Sequence, residues 1–449
     1  MPNPKTTARA MTSGSITRQI LLFSLPLMLG NIFQMLYNTV DMWVVGNFVS
    51  TQAQAAIGST SMITNMAVFF FNGFSIGAGV LIGQRFGARD MERLHTAVET
   101  TMAVTFLFCA AFTVLGALFV DPMLRLMSTP EDVFADATQY LTIYFLGISG
   151  LLVYNMGSGI LRAVGDTTRP LVFLIITSVL NIVLDLAFVL WLNAGIAGVA
   201  YATILSQFIS AILTLVLLTK TRDIYRLVWR DLRVDLHVLK RIFAVGLPAG
   251  IQSVITAFSN VFVQSYINYF GSACMAGWSC YNKLDSFIML PMQSMAMAAT
   301  TFVSQNIGAN QEKRADRGTV VSILMSVGIT LVIAIVLVLN AEASVRLFNK
   351  DEAVIAFGAL FMRANTFFLM CNCVNHVLAG ALRGRGDSRG PMIIMLAAFV
   401  GIRQIYLFTV TRLVANTPLL VGLGYPVGWS CCMIIETIYA FRRRAARTR

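Results

Sequence analysis

"LPLMLGNIFQMLYNTVDMWVVGNF", residues 25–48, reads as a helix made for lipid, except that it carries Asp41. Roughly 20 apolar residues cross the hydrocarbon core of a bilayer. A carboxylate at that depth is costly and is rarely kept without a partner. The rest of the chain has the same character. Of its 449 residues, 57% are hydrophobic and only 12% charged, with mean hydropathy +0.73. Soluble domains carry about 25% charged residues, so the composition specifies an all-α, polytopic membrane protein. The apolar runs supply about twelve spans.

The segment before Ile16 is short, with only Lys5 and Arg9 charged, and no small-residue cleavage pattern precedes Asp41. Residues 16–46 therefore read as a retained first helix rather than a signal peptide. Cys109, Cys371, Cys373, Cys431 and Cys432 lie within apolar runs and read as small hydrophobic thiols, not as a disulfide framework.

The net charge of +12 is not laid out as a nucleic-acid surface. Twenty-six of the 33 Lys and Arg fall in the N-terminal tail, every second connection and the C-terminal tail. The alternate connections carry only Arg125, Arg346, Lys350 and Arg412. That alternation follows the positive-inside rule. It predicts cytoplasmic N- and C-termini and an even number of spans.

The opening stretch is also written twice. "LPLMLGNIFQMLYN" (25–38) aligns with "LPAGIQSVITAFSN" (247–260) at an offset of 222. "GQRFGARDMERL" (83–94) aligns with "SQNIGANQEKRA" (304–315), and "LRAVGDTTRP" (161–170) with "LRGRGDSRGP" (382–391), both at 221. Each half then holds six helices, an even number, so the two repeats enter the membrane in the same direction, as in one class of secondary transporters. The expected division is a cytoplasmic tail at 1–15, an N-terminal lobe at 16–219, a basic linker at 220–240, a C-terminal lobe at 241–441 and a basic tail at 442–449. The linker, "KTRDIYRLVWRDLRVDLHVLKR" (220–241), is expected to form an amphipathic connector near the headgroups.

Duplicated six-helix halves, an early helix Pro followed by Asp41, the "GQRFGA" end of helix 2 and the "LRAVGD" and "LRGRGD" loops resemble the multidrug and toxic compound extrusion (MATE) transporters. The resemblance covers residues 16 to 440 and is closest to the DinF-like branch. It implies an antiporter, with a functional Asp pair in the N-terminal half.

Four acidic residues sit well inside the expected helices: Asp41, Asp185, Asp285 and Glu436. Counted by helical rise, Asp41 and Asp185 both lie roughly 8–11 Å below the outer surface. Asn181 shares the face of Asp185, four residues on, and Thr203 reaches a similar depth from helix 6. Gln34, Tyr37, Asn38 and Asp41 form a polar stripe that must face protein or water. Two carboxylates sharing one low-dielectric pocket cannot both ionise cheaply. Such a pair can exchange a proton, or hold Na⁺ with amide and hydroxyl oxygens. The resemblance implies the same role for Asp41, Asp185, Asn181 and Thr203. Gln34, Tyr37, Asn38, Asn155 and Ser178 are candidate contacts in the substrate cavity.

The C-terminal half has Val263 opposite Asp41, and helix 11 has Arg403 and Gln404, so cation coupling is expected from the N-terminal half alone. Lys283 and Asp285 are either a neutralised couple or part of a path; His376 is either a core histidine or a gate; together they form a possible C-lobe polar site. Glu436 is expected to pair with Arg442. Pro26 and Pro248 recur at one repeat position and permit kinks; neutralising Asp41 is expected to change the bend of helix 1 at Pro26. "GRGD" (384–387) lies in a basic loop whose repeat partner reads "AVGD", so it shapes a turn and is not a protease motif. No Ser/His/Asp set, metal-ligand spacing or phosphate loop appears, which argues against an enzyme, a metal site or a cofactor.

The expectation is therefore a monomeric plasma-membrane antiporter that exports amphiphilic, often cationic, compounds in exchange for H⁺ or Na⁺. Its partners are small molecules and the lipid bilayer, not nucleic acid. The alternative is a flippase for lipid-linked saccharides, whose pyrophosphate headgroups call for several cavity cations; the interior offers only Lys283, Arg363 and Arg403.

Overall fold

The computed structural model describes residues 10–448, which leaves Lys5, Arg9 and Arg449 outside it. Among the described residues there is no strand, and twelve helical spans are long and apolar enough to cross a membrane. The N-terminal half runs α1 (Ile16–Phe48), α2 (Thr51–Gly87), α3 (Met91–Leu118), α4 (Val120–Leu126), α5 (Glu131–Ala163), α6 (Thr168–Leu186) and α7 (Gly195–Lys220). The C-terminal half opens with α8 (Leu236–Asn268), α9 (Ser272–Gly308), α10 (Glu312–Leu339) and α11 (Ala341–Arg346). It continues with α12 (Glu352–Asn365), α13 (Leu369–Gly384), α14 (Arg389–Leu396), α15 (Arg403–Thr409), α16 (Pro418–Gly422) and α17 (Gly424–Thr448).

The repeat is visible in the backbone itself. Helices α2 and α9 are both 37 residues long, and α3 and α10 both 28. Arg89 and its partner Asn310 take φ of 55° and 56°, and Gly165 and Gly386 take 90° and 89°. The glycine of each Gly-Asp pair supplies the left-handed residue that ends a helix, and the aspartate caps the next one. Asp166 Oδ1 accepts the Arg169 N–H at 3.2 Å, and Asp387 Oδ1 accepts the Gly390 N–H at 3.1 Å. The halves diverge where α5 runs unbroken: its counterpart is interrupted between α12 and α13 by a 3-10 turn at Thr366–Phe368.

The chain forms two compact units. Unit 1 contains Leu25–Gly246, and unit 2 contains Met11–Ser24 with Leu247–Arg449. The chain therefore leaves one unit for the other inside α1 and inside α8, in each case one residue before a proline, Pro26 or Pro248. A proline there removes a backbone donor and loosens the helix where it changes company.

In unit 1, α5 packs against α2, α3 and α7. Lipid gives helices no hydrophobic reason to associate, so close backbone approach at small residues carries the packing. At Gly150 an added Cβ would lie 2.8 Å from Phe208 N and 2.9 Å from Gln207 C. Gly150→Ala is therefore expected to pry α7 from α5 and cost about 1–3 kcal/mol, read as a lower Tm of the purified protein. Gly58→Ala is the control, because its Cβ meets nothing within 4 Å.

The linker is mostly non-helical. Between α7 and α8 it makes one 3-10 turn, Trp229–Asp231, and folds onto unit 1. Tyr225 and Leu227 are buried in the core, and Trp229 stacks on Phe106 at 5.8 Å. The Tyr225 hydroxyl accepts from Arg169 Nη1 at 3.2 Å and donates to Asp223 Oδ2 at 3.1 Å. Asp235 Oδ1 then accepts the His237 and Val238 N–H groups at 2.8 and 3.0 Å. The Val238 N–H, above all, holds the Asp235 carboxyl below its ordinary range. The cap is thus kept at neutral pH and lost only as pH falls through that lowered value.

In unit 2, α9 packs against α10, α12 and α13. The segment before α1 belongs to this unit. Gln305 Oε1 accepts the Met11 N–H at 2.8 Å, and the Met11 carbonyl accepts from Asn306 Nδ2 at 3.2 Å and Arg314 Nη2 at 3.3 Å. Arg314 also donates to Gln19 Oε1 at 3.0 Å, which pins the first turn of α1.

Candidate functional site

Asp41 sits on α1, seven residues before its end at Phe48. Asp185 closes α6, immediately before a π turn at Ala187–Trp191. Such turns interrupt regular helices and recur at functional sites. The two carboxylates lie within hydrogen-bond reach of each other inside unit 1.

Several polar atoms around them have no protein partner. Asp185 is 0% and Asn181 2% exposed. Asp41 Oδ1, Ser178 Oγ, both Asn181 side-chain polar atoms and both Asp185 oxygens are buried without a hydrogen-bond partner. Ser178, Asn181 and Asp185 follow at helical spacing along one face of α6. Buried polar atoms are ordinarily satisfied, and this cluster offers carboxylate, amide and hydroxyl oxygens side by side. A proton shared between the carboxylates would satisfy it, as would a small cation held by carboxylate, amide and hydroxyl oxygens. Thr203 is buried on α7, which packs against α6, and its carbonyl accepts the Ser206 hydroxyl at 2.8 Å. Among the described residues no group of three or more His, Cys, Asp or Glu is placed to hold a metal ion.

Two tyrosines flank the pair and a third backs them. Tyr37, hydrogen-bonded to Gln34, flanks Asp41, and Tyr140 flanks both aspartates. Tyr144 stacks on Tyr140 with centroids 6.3 Å apart. Tyr140 and Tyr144 were missed by sequence reasoning. Their one signal is an i, i+4 aromatic pair in "QYLTIY" on a helix with no intramembrane charge of its own. Of the remaining cavity candidates, Ser178 joins the pocket, Asn38 is exposed on α1, and Asn155 is half-buried on α5 with its carbonyl accepting from Ser75 Oγ at 3.2 Å.

The C-lobe candidates do not form one site. Lys283 and Asp285, two residues apart on α9, point to different faces and make no ion pair among the described residues. Asp285 is enclosed beside Tyr281, itself next to Asn365. The Lys283 side chain is exposed and reaches the Phe348 ring, 5.7 Å from Nζ. His376 lies on α13, where the charge it faces is Arg383. Glu436 is 0% exposed and does not pair with Arg442; it too faces Arg383. Arg363 is not interior, since it bonds Glu342 at 3.0 Å with both side chains more than half exposed. One buried acid escaped the sequence reading: Glu99 on α3, 3.8 Å from Arg233.

Comparison with known proteins adds a family and a fold. The MatE family model matches residues 26–187 and again 248–409, so the two matched segments fall on the two repeats. The chain is 29% identical over 436 residues to "Probable multidrug resistance protein YoeA" of Bacillus subtilis (strain 168), covering 95% of this chain and 93% of that protein. It is 21% identical to "Multidrug export protein MepA" of Staphylococcus aureus (strain bovine RF122 / ET3-1), across 96% of this chain and 95% of that one. Among solved structures, an outward-facing multidrug resistance transporter of the MATE family superposes with a TM-score of 0.92 at 23% identity, over 99% of both chains.

Proposed function

Because the chain belongs to the MatE family, we propose that it is a multi-pass plasma-membrane antiporter, with both termini cytoplasmic, that exports amphiphilic organic compounds in exchange for H⁺ or Na⁺. The coupling groups are Asp41 and Asp185, with Asn181 and Thr203 as oxygen-bearing partners. The observation that carries this reading is the pair of carboxylates within hydrogen-bond reach of each other inside unit 1. Two carboxylates held that close in one low-dielectric pocket cannot both keep their charge cheaply, so a proton or small cation between them is favoured. The printed names of the relatives, multidrug resistance and multidrug export, supply the substrate direction.

In this reading an incoming cation and an outgoing cationic compound compete for one pocket of negative charge. Taking up the cation removes the counter-charge that holds the substrate, and substrate leaves. Asp41 rides on α1, so the same event acts on the helix loosened at Pro26. Flipping of lipid-linked saccharides is disfavoured, because the pyrophosphate would need several free cavity cations, whereas Arg363 is taken by Glu342 and Arg403 is enclosed, which leaves Lys283 alone of the three.

The test is purified protein in liposomes loaded with ethidium, under either a pH gradient or a Na⁺ gradient. Extrusion driven by one gradient and absent without it supports the reading and names the ion. Extrusion indifferent to both gradients sinks it.

A further inference from the structure

Glu436, on α17 in unit 2, is an interior acid with no task in the coupling scheme. It is 0% exposed, and its Oε1 is buried with no hydrogen-bond partner. Its Oε2 receives only the Cys432 thiol, at 3.9 Å. Burying an ionised carboxylate without a paired cation is costly, so this geometry is that of the protonated acid.

A cation stands nearby but is engaged elsewhere. Arg383 on α13 is the charge that faces Glu436, yet the two make no ion pair among the described residues. Arg383 Nη2 donates instead to Gln252 Oε1 on α8 at 2.8 Å, and Arg383 Nε is buried without a partner. Gln252 lies four residues after Pro248, where α8 is loosened. The other titratable groups on the helices packed against α17 are occupied or turned away. Arg403 on α15 is bonded to Asn260 and Ser259, Arg389 on α14 is exposed, and Cys371 and Cys373 on α13 meet Ser430 and Thr330. His376 on α13 faces the Arg383 guanidinium.

We propose that Glu436 is a second proton-binding site, within unit 2, whose charge decides whether Arg383 holds α8. With the acid protonated, Arg383 bonds the neutral amide of Gln252 and steadies α8 beside its proline. When Glu436 gives its proton to water, a carboxylate appears in a low-dielectric interior. Arginine keeps its charge at any working pH, and it gains more from a carboxylate there than from an amide. The guanidinium therefore turns to Glu436, and Gln252 is released. The site goes beyond the export reading, which places coupling on Asp41 and Asp185.

Hydrogen–deuterium exchange of residues 248–256 tests this on the purified full chain in detergent. It is measured at about pH 5 and about pH 9.5, the second above the range documented for buried glutamates. Variants are compared with wild type at one pH, so the intrinsic pH dependence of exchange cancels. At the lower pH, wild type and Glu436→Gln are expected to exchange alike. At the higher pH, wild type should exchange about tenfold faster than Glu436→Gln, the scale of one lost hydrogen bond to a charged group. Gln252→Met has no bond to release and should be fast at both values, whereas His376→Asn should follow wild type. Equal exchange in wild type and Glu436→Gln at the higher pH overturns the proposal, as does a pH response that His376→Asn removes. Should Glu436→Gln fail to fold, Gln252→Met decides: exchange no faster than wild type at the lower pH overturns the proposal. No transport is read here, so failure of the export reading registers in the ethidium assay and leaves this result standing.

Discussion

Asp185→Asn is expected to abolish gradient-driven efflux, with a fall of about 100-fold or more, the scale at which a positioned proton-carrying group acts. The variant keeps shape and volume. It leaves an amide where both oxygens are buried and unpartnered, removing the one property an amide lacks, reversible charge. Asp41→Asn should have the same effect if, as proposed, two carboxylates within hydrogen-bond reach act as one group. The double variant should therefore lose no more than either single one, the non-additivity expected of residues that work as a unit.

Stability separates this from a structural role. Replacing a buried, incompletely satisfied carboxylate by a neutral isostere removes a desolvation cost, so the Tm of Asp185→Asn should equal or exceed that of wild type. Lost transport with an unchanged Tm assigns the pair to coupling. A matching fall in both would make it a brace between α1 and α6.

Arg403→Ala is expected to show the opposite signature, a large loss of stability. Arg403 is 2% exposed. Its Nη1 donates to Asn260 Oδ1 at 3.0 Å and its Nη2 to Ser259 Oγ at 2.6 Å. Its guanidinium lies 4.7 Å from the centre of the Tyr425 ring. One side chain thereby ties α15 to α8 and α17. Two hydrogen bonds to a charged group and one desolvated cation–π contact, less the cost of burying the charge, leave a net of about 2–4 kcal/mol. Thermal unfolding in detergent should show a Tm lower by several degrees. Arg403→Lys should recover little, because an ammonium cannot bond both oxygens and stack as the planar fork does. A Tm within error of wild type would refute this account.

Arg403 also marks the divergence of the repeats. The N-terminal half places a pair of acids in its interior, whereas the C-terminal half places this bonded arginine and the enclosed Asp285. The eleventh span, counterpart of the fifth, thus holds a bonded cation where the fifth holds an acid.

What the sequence determined by itself was whatever repeats along the chain. Hydropathy counted the spans, because a bilayer imposes a length on each. The internal alignment placed the Gly-Asp turns, because a left-handed glycine followed by a capping aspartate is a local device that needs no distant partner. Asp41, Asp185 and Asn181 were legible too, since an acid in an apolar run is expensive wherever the helix ends up. Which side chains meet was decided by tertiary structure alone. Spacing set Lys283 and Asp285 side by side in the text, but a helix turns about 100° per residue and sends them to different faces. Tyr140 and Tyr144 close the carboxylate pocket from α5, a helix that gives no intramembrane charge to notice. The linker's Tyr225 lies in the core, because its hydroxyl finds Arg169 and Asp223 only after α6 and the loop have folded together.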